Sequence, residues 1–185
     1  MYQLLDIAKN FLNLANIKPD GTLADFTMGN GYDTLYLCSL VPEGTVYAFD
    51  IQSSAIVNTR NRLDEAKVTS NAILIHDGHE NAKKYIQGEI DGGMFNLGYL
   101  PGGDKSIHTM QQSTLCAVSD AISMLKKGGV LVISVYPGHT EGRKEANALI
   151  DMLSQYDKKL YSISRFHIVN SYDSPFVIAV ERYDK

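Results

Sequence analysis

Leu4, Ala8, Phe11, Leu12 and Ala15 fall at helical spacing and end at the turn signal Lys18-Pro19-Asp20-Gly21, so the chain opens with an amphipathic helix. A second rhythm then takes over, in which short runs of β-branched and aromatic residues alternate with helical stretches. Residues 22–26 read as the first strand and 34–40 as the helix behind it, closed by Val41-Pro42-Glu43-Gly44. Residues 45–49 read as the second strand, followed by a helix over 53–66 that Ser53 or Ser54 is placed to cap. Residues 72–75 and 93–97 are the third and fourth strands. Ile107, Met110, Thr114, Val118, Ala121 and Leu125 then form a helical stripe stopped by Gly128-Gly129. The run 130–135 is almost wholly apolar, as a strand buried on both faces of a parallel sheet must be. A helix over 143–155 follows, then strand-like runs at 160–169 and 176–181, whose short join predicts an antiparallel hairpin.

Five strand–helix cycles predict an α/β, doubly wound, Rossmann-like architecture, because each parallel crossover needs a helix-length connection. The length of 185 residues suits one domain over 1–185, long enough to bury a core without disulfide or metal. A hydrophobic content of 44% with a mean hydropathy of -0.14 excludes disorder, coiled coil and collagen. The formal charge of -4 supplies no global attraction to nucleic acid, so an RNA partner would have to meet one local face. Cys38 and Cys116 sit in apolar helical patterns and are expected to be buried, reduced thiols. With no signal-like amino terminus and no membrane-length apolar run, a cytoplasmic protein is expected.

In such a sheet, ligands sit beyond the carboxyl ends of the strands, so the loops there carry the chemistry. The first is Asp25-Phe26-Thr27-Met28-Gly29-Asn30-Gly31-Tyr32-Asp33-Thr34, an acidic strand end, a glycine turn and a helix start. A dinucleotide fingerprint would need a third glycine where Thr34 stands, and Asp33 brings negative charge where a pyrophosphate would bind. A P-loop would need a Gly-Lys-Ser or Gly-Lys-Thr step that is absent. S-adenosylmethionine carries an ammonium, a sulfonium and a carboxylate, and Asp25 and Asp33 suit its cations while backbone N–H groups meet its carboxylate. Asp50 ends the second strand about 20 residues beyond the glycine turn, where a carboxylate accepts from both ribose hydroxyls. Ile51 can lie against adenine. Asp77 or its neighbouring backbone, in His76-Asp77-Gly78-His79-Glu80, can read the adenine amino group. His76 and His79 lack the further partners of a zinc site, and no metal is expected. The fourth loop, Asn96-Leu97-Gly98-Tyr99-Leu100-Pro101-Gly102-Gly103-Asp104, has the composition of a close-fitting pocket, and its Asn and Tyr are similar to the amine-holding loops of amino-directed methyltransferases. His139 stands in the fifth loop.

Together these loops resemble the class I S-adenosylmethionine-dependent methyltransferases over essentially the whole chain. The glycine turn, His79-Glu80-Asn81 and Phe95 to Asp104 more narrowly resemble a family of small bacterial proteins labelled rRNA methylases. The resemblance implies a seven-stranded sheet with its last strand antiparallel, and a homodimer. It implies methyl transfer to the aminomethyl nitrogen of 5-aminomethyl-2-thiouridine at the tRNA wobble position, giving 5-methylaminomethyl-2-thiouridine. It also implies that Asp25, Thr27, Gly29, Asn30, Gly31, Asp33 and Thr34 surround the methionine part of the cofactor. Asp50 and Gln52 then serve the ribose and adenine edge, Asp77, Gly78 and His79 the adenine side, and Asn96 to Tyr99 face the methyl group. Asn96, Tyr99 and His139 are the expected catalytic residues: an amine holder, a stacking ring and a proton acceptor. An unpaired wobble base in the anticodon stem-loop is open to edge and stacking contacts. Lys105, His108, Arg143, Lys144, Arg165 and His167 are candidate phosphate contacts. Methylation of rRNA or a small molecule, and a non-catalytic nucleotide-binding module, are the alternatives.

Overall fold

The computed structural model describes residues 4–68, 71–98, 110–138, 140–171 and 173–183. Helix α1 (Leu4–Leu14) leads into β1 (Thr22–Asp25), α2 (Tyr32–Leu40), β2 (Thr45–Asp50), α3 (Ser53–Glu65) and β3 (Ala72–His76). A short 3-10 segment (His79–Lys84) precedes β4 (Ile90–Asn96), α4 (Gln111–Met124), β5 (Leu125–Val135), α5 (Thr140–Leu153), β6 (Tyr161–Phe166) and β7 (Phe176–Arg182). The seven strands lie in the order β3-β2-β1-β4-β5-β7-β6. The first five are mutually parallel, and β7 runs antiparallel between β5 and β6, as the carboxyl-terminal hairpin predicts.

Alternation along β5 shows how the sheet holds its two helical layers. Leu131, Ile133 and Val135 point into a core with Phe26, Phe95, Ile178 and the inner faces of α4 and α5. Val130 and Val132 point the other way, into a second layer built from Ala8 and Leu12 of α1, Leu37 and Cys38 of α2, and Leu63 of α3. Two apolar layers therefore pin one strand, and truncating a side chain such as Leu131 to Ala would cost about 2–5 kcal/mol. The rings of Phe26 and Phe95 stack with centroids 4.3 Å apart, tying the ends of β1 and β4 together beneath the ligand edge. At the far edge of the sheet, Asp91 accepts from the Thr22 backbone N–H at 2.7 Å and pairs with Lys126 at 2.8 Å, which fixes the starts of β1 and β5 on β4.

Several expectations change. The helix before β5 ends at Met124, not at Gly128-Gly129, because the chain turns extended at Leu125 and those glycines carry a bulge within β5; Gly128 has φ +78°. Ser53 and Ser54 lie inside the first turn of α3, and Gln52 occupies the cap position without a side-chain bond. Helix α5 begins at Thr140, earlier than expected. Strand β6 stops at Phe166, since Ile168 enters a turn closed by the Ser171 N–H. Cys38 is buried, whereas Cys116 is exposed: the buried stripe of α4 runs through Thr114, Ala117, Val118, Ala121 and Ile122, and Cys116 lies on the opposite side.

Candidate active site

Strand order reverses at β1, which has β2 on one side and β4 on the other, and the loops leaving β1, β2 and β4 converge there. The turn after β1 is built from Gly31 outward. Its φ of +80° is left-handed, and a Cβ would come within 2.8 Å of the Thr59 Cα on α3, so only glycine fits. Helix α3 braces the turn: Thr59 Oγ1 donates to the Gly29 carbonyl at 3.1 Å, Arg62 Nε to the Asn30 carbonyl at 2.7 Å, and Asn58 Nδ2 to Asn30 Oδ1 at 2.9 Å. The Arg62 guanidinium also lies 3.5 Å from the centroid of the Tyr32 ring. None of these three α3 residues stands out in the sequence: Asn58 and Arg62 read as ordinary polar helix positions, and Thr59 as one small member of the buried stripe Ala55-Thr59-Leu63.

Asp25 is wholly buried. Its oxygens accept from Thr34 Oγ1 at 2.7 Å and from the Thr27 N–H at 3.1 Å, so it holds the turn onto the first residues of α2 from within. Burial pushes its carboxyl up to about 7, with the Asp33 charge adding to the effect against the two hydrogen bonds. Thr27 in turn accepts the Asn96 N–H at 2.7 Å on Oγ1, which clips the end of β4 to the glycine turn.

Asp50 spans two loops. One oxygen accepts the Gly29 N–H at 3.0 Å and the other the Gln52 N–H at 2.9 Å. A carboxylate has about four acceptor positions, so two remain for a vicinal diol. Ile51, 56% exposed, sets an aliphatic surface beside it. Asp77 accepts from the Gly78 N–H, Asn81 Nδ2 and the Tyr85 hydroxyl at 2.7–2.8 Å, and these bonds, Tyr85 foremost, hold its carboxyl below the usual range. Its oxygens thus organise the 3-10 segment. The His79 Nδ1 lies 3.2 Å from the Phe26 carbonyl, which can only accept, so Nδ1 carries the proton and Nε2 the lone pair. Burial holds its pKa low, which keeps the ring neutral. His76 Nε2 lies 2.9 Å from the Ile51 carbonyl and serves the loop.

Asn96 ends β4 with its side chain toward Asp33. Its Nδ2 donates to Asp33 Oδ2 at 2.6 Å, and Asp33 Oδ1 lies 3.2 Å from Lys9 Nζ on α1. Asp33 is buried, so Lys9 balances a charge that would otherwise be costly to hold there. Burial, with the Asp33 charge second, raises the nearby hydroxyls of Tyr36, to about 12, and of Tyr136. The amide orientation of Asn96 follows from chemistry: a carboxylate accepts only, so the NH2 must face it and Oδ1 must point away. That Oδ1 is buried and has no hydrogen-bond partner among the described residues. Tyr99 and His139, with 100–109, lie outside the described residues.

The model of the family described as "Putative rRNA methylase" matches residues 46–181. The chain is 35% identical over 173 residues to the tRNA (mnm(5)s(2)U34)-methyltransferase, chloroplastic, of Arabidopsis thaliana; the match covers 88% of this chain and 63% of that relative's length. A solved rRNA-methylase from Clostridium thermocellum superposes with a TM-score of 0.94 at 35% identity, covering 98% of both chains. A methyltransferase from Streptococcus mutans, solved in complex with SAH, superposes with a TM-score of 0.89 at 33% identity, covering 98% of this chain and 99% of that one. With the family model spanning β2 to β7 and the fold shared from end to end, the chain belongs to the rRNA methylase family and has its Rossmann-like methyltransferase fold.

Proposed function

We propose that this protein transfers a methyl group from S-adenosylmethionine to the aminomethyl nitrogen of 5-aminomethyl-2-thiouridine at the wobble position of tRNA. The observation that carries the reading is the buried, unpartnered Oδ1 of Asn96 at the methyl-transfer edge of the sheet. The tRNA substrate named for the Arabidopsis relative supports the choice of acceptor. The two open acceptor positions of Asp50 and the exposed Ile51 fit the ribose and adenine of the cofactor. When bound, the cofactor supplies a methyl group on a sulfonium, which needs no covalent enzyme intermediate.

The protein's part is alignment, which is worth about 7–11 kcal/mol in well-oriented reactions. A primary amine of this kind is mostly protonated at neutral pH and must lose a proton before it can attack. Asn96 Oδ1 accepts one N–H of the neutral amine and thereby aims the nitrogen lone pair, while Asp33 keeps that oxygen facing the substrate. Asp33 is thus a positioning residue. Gly78 and the Nε2 of His79 take the adenine amino side, beside the one acceptor position that Asp77 keeps after its three bonds to Gly78, Asn81 and Tyr85. Tyr99 stacks on the uracil, and His139 or solvent takes the released proton. The protein acts in the cytoplasm as a homodimer.

The direct test incubates the protein and S-adenosylmethionine with tRNA that carries the unmethylated aminomethyl nucleoside, followed by mass spectrometry of the digested nucleosides. The expected result is one added methyl on that nucleoside alone. Methyl transfer to rRNA or a small molecule, with none to this tRNA, would overturn the assignment.

A further inference from the structure

Beyond β5 the ligand edge of the sheet holds a second concavity, a cavity of about 60 Å³ between the start of α5, the end of β6 and the start of β7. A water needs about 10–15 Å³, so there is room for one tetrahedral oxyanion. Arg143 and Arg165 flank it, with Asn147 and Pro137 on its wall and Phe176 at its base. The Arg165 guanidinium lies 3.9 Å from the centroid of the Phe176 ring, and no carboxylate pairs with it among the described residues. Arg143 Nη2 is 3.0 Å from Asp173 Oδ1, but both side chains are more than half exposed. Such a pair is worth about 0–1 kcal/mol, so a better-matched anion can displace Asp173. In a chain with net charge -4, two guanidiniums converging on one cavity form a local exception to the overall sign.

The register fixes where this cavity lies relative to Asn96. Asn96 pairs with Ser134 on β5, the next residue Val135 pairs with Phe176 on β7, and Val177 pairs with Phe166 on β6. The backbone of Phe176 is therefore two strands from that of Asn96, about 10 Å at the usual strand spacing and the scale of a single nucleotide, with the two side chains leaving opposite faces of the sheet at its ligand edge. We propose that the cleft of Arg143, Arg165 and Phe176 binds a backbone phosphate of single-stranded RNA, next to the nucleoside presented to Asn96, with Asp173 as its intramolecular stand-in. The proposal rests on the RNA reading above and adds the site that holds the strand. Guanidinium forks match phosphate in a way that ammonium groups do not.

The test measures binding of an anticodon stem-loop and a short oligouridylate, across a salt series, to Arg143→Gln, Arg165→Gln and Asp173→Asn. Lys158→Gln, an exposed charge in the turn before β6 at the opposite edge, controls for net charge. Each Arg variant is expected to weaken both RNAs about 10-fold and to reduce the salt slope by about 0.7, while S-adenosylmethionine binding stays unchanged. Asp173→Asn is expected to tighten RNA binding a few-fold. Arg variants that behave like Lys158→Gln, an Asp173→Asn protein that binds more weakly, or a wild-type protein that binds neither RNA would each overturn the site. If the wild type methylates no tRNA but the Arg variants still lose oligouridylate, the wobble assignment fails and the phosphate site stands. If the wild type methylates tRNA and the Arg variants bind normally, the outcome is reversed.

Discussion

The bond between Asp33 and Asn96 makes the sharpest prediction, because an isosteric change separates holding the substrate from holding the cofactor. Asp33→Asn keeps the shape of the side chain but replaces an acceptor-only group by one that offers either an oxygen or an NH2. The 2.6 Å bond then no longer dictates which end of the Asn96 amide faces the proposed acceptor amine. A hydrogen bond to a charged group is worth about 1.5–3 kcal/mol, and if that energy selects the Oδ1-outward orientation, its loss lowers kcat about 10- to 150-fold. Lys9, 27% exposed, can turn to solvent once its partner is neutral, so the fold should survive. Methyl transfer from labelled S-adenosylmethionine, measured at saturating cofactor beside calorimetric cofactor affinity, checks this. Lys9→Met, which leaves the Asn96 bond in place, should give a smaller loss of kcat. A kcat within twofold of wild type would refute the positioning role. A weakened cofactor affinity with unchanged kcat would instead place Asp33 against the cofactor's cations.

Four further outcomes follow from the same geometry. Asp25→Asn should change the pH dependence of stability: the native carboxyl titrates near 7 against 3.8 in the unfolded chain, so the folded form holds its proton more tightly. That contribution is full below the unfolded value and is lost between about pH 4 and 7 at up to about 1.4 kcal/mol per pH unit. Denaturant titrations of wild type relative to the variant should show the decline and then a plateau above pH 7. Gly31→Ala should lose about 1–3 kcal/mol and most cofactor affinity, because the backbone is left-handed and Thr59 blocks the methyl group; unchanged melting and affinity would refute the close-packed turn. Asp50→Ala should weaken S-adenosylmethionine at least about 10-fold, since the Gly29 and Gln52 N–H groups lose their shared acceptor and the ribose loses the one proposed for it. In a timed alkylation of the folded protein, Cys116 should react and Cys38 should not, because burial raises the Cys38 thiol to about 11 and closes access to it.

The periodicities of the chain were sufficient for the architecture. Strands that alternate with helices can close only as a parallel sheet, and an apolar run such as 130–135 has to lie where both faces are covered. The loop residues at the strand ends were legible for the same reason, since topology places those ends together. Boundaries set by pairing were less so: Gly128-Gly129 looks like a helix stop until β4 is present for β5 to pair with, and Cys116 looks apolar until α4 has chosen its inner face. Local pattern cannot reveal which hydrogen bonds a carboxylate makes. Asp25, Asp33, Asp50 and Asp77 look alike as acids at strand ends and helix starts. Only the fold makes Asp25 a buried clamp on Thr34, Asp77 the organiser of a 3-10 segment, and Asp33 the partner of Asn96 from 63 residues away. Sequence alone determined which chemistry gathers at one edge of the sheet, because that depends on residue type and order. Which atoms remain open to a ligand was decided by the tertiary structure, because hydrogen-bond saturation depends on neighbours that only folding brings together.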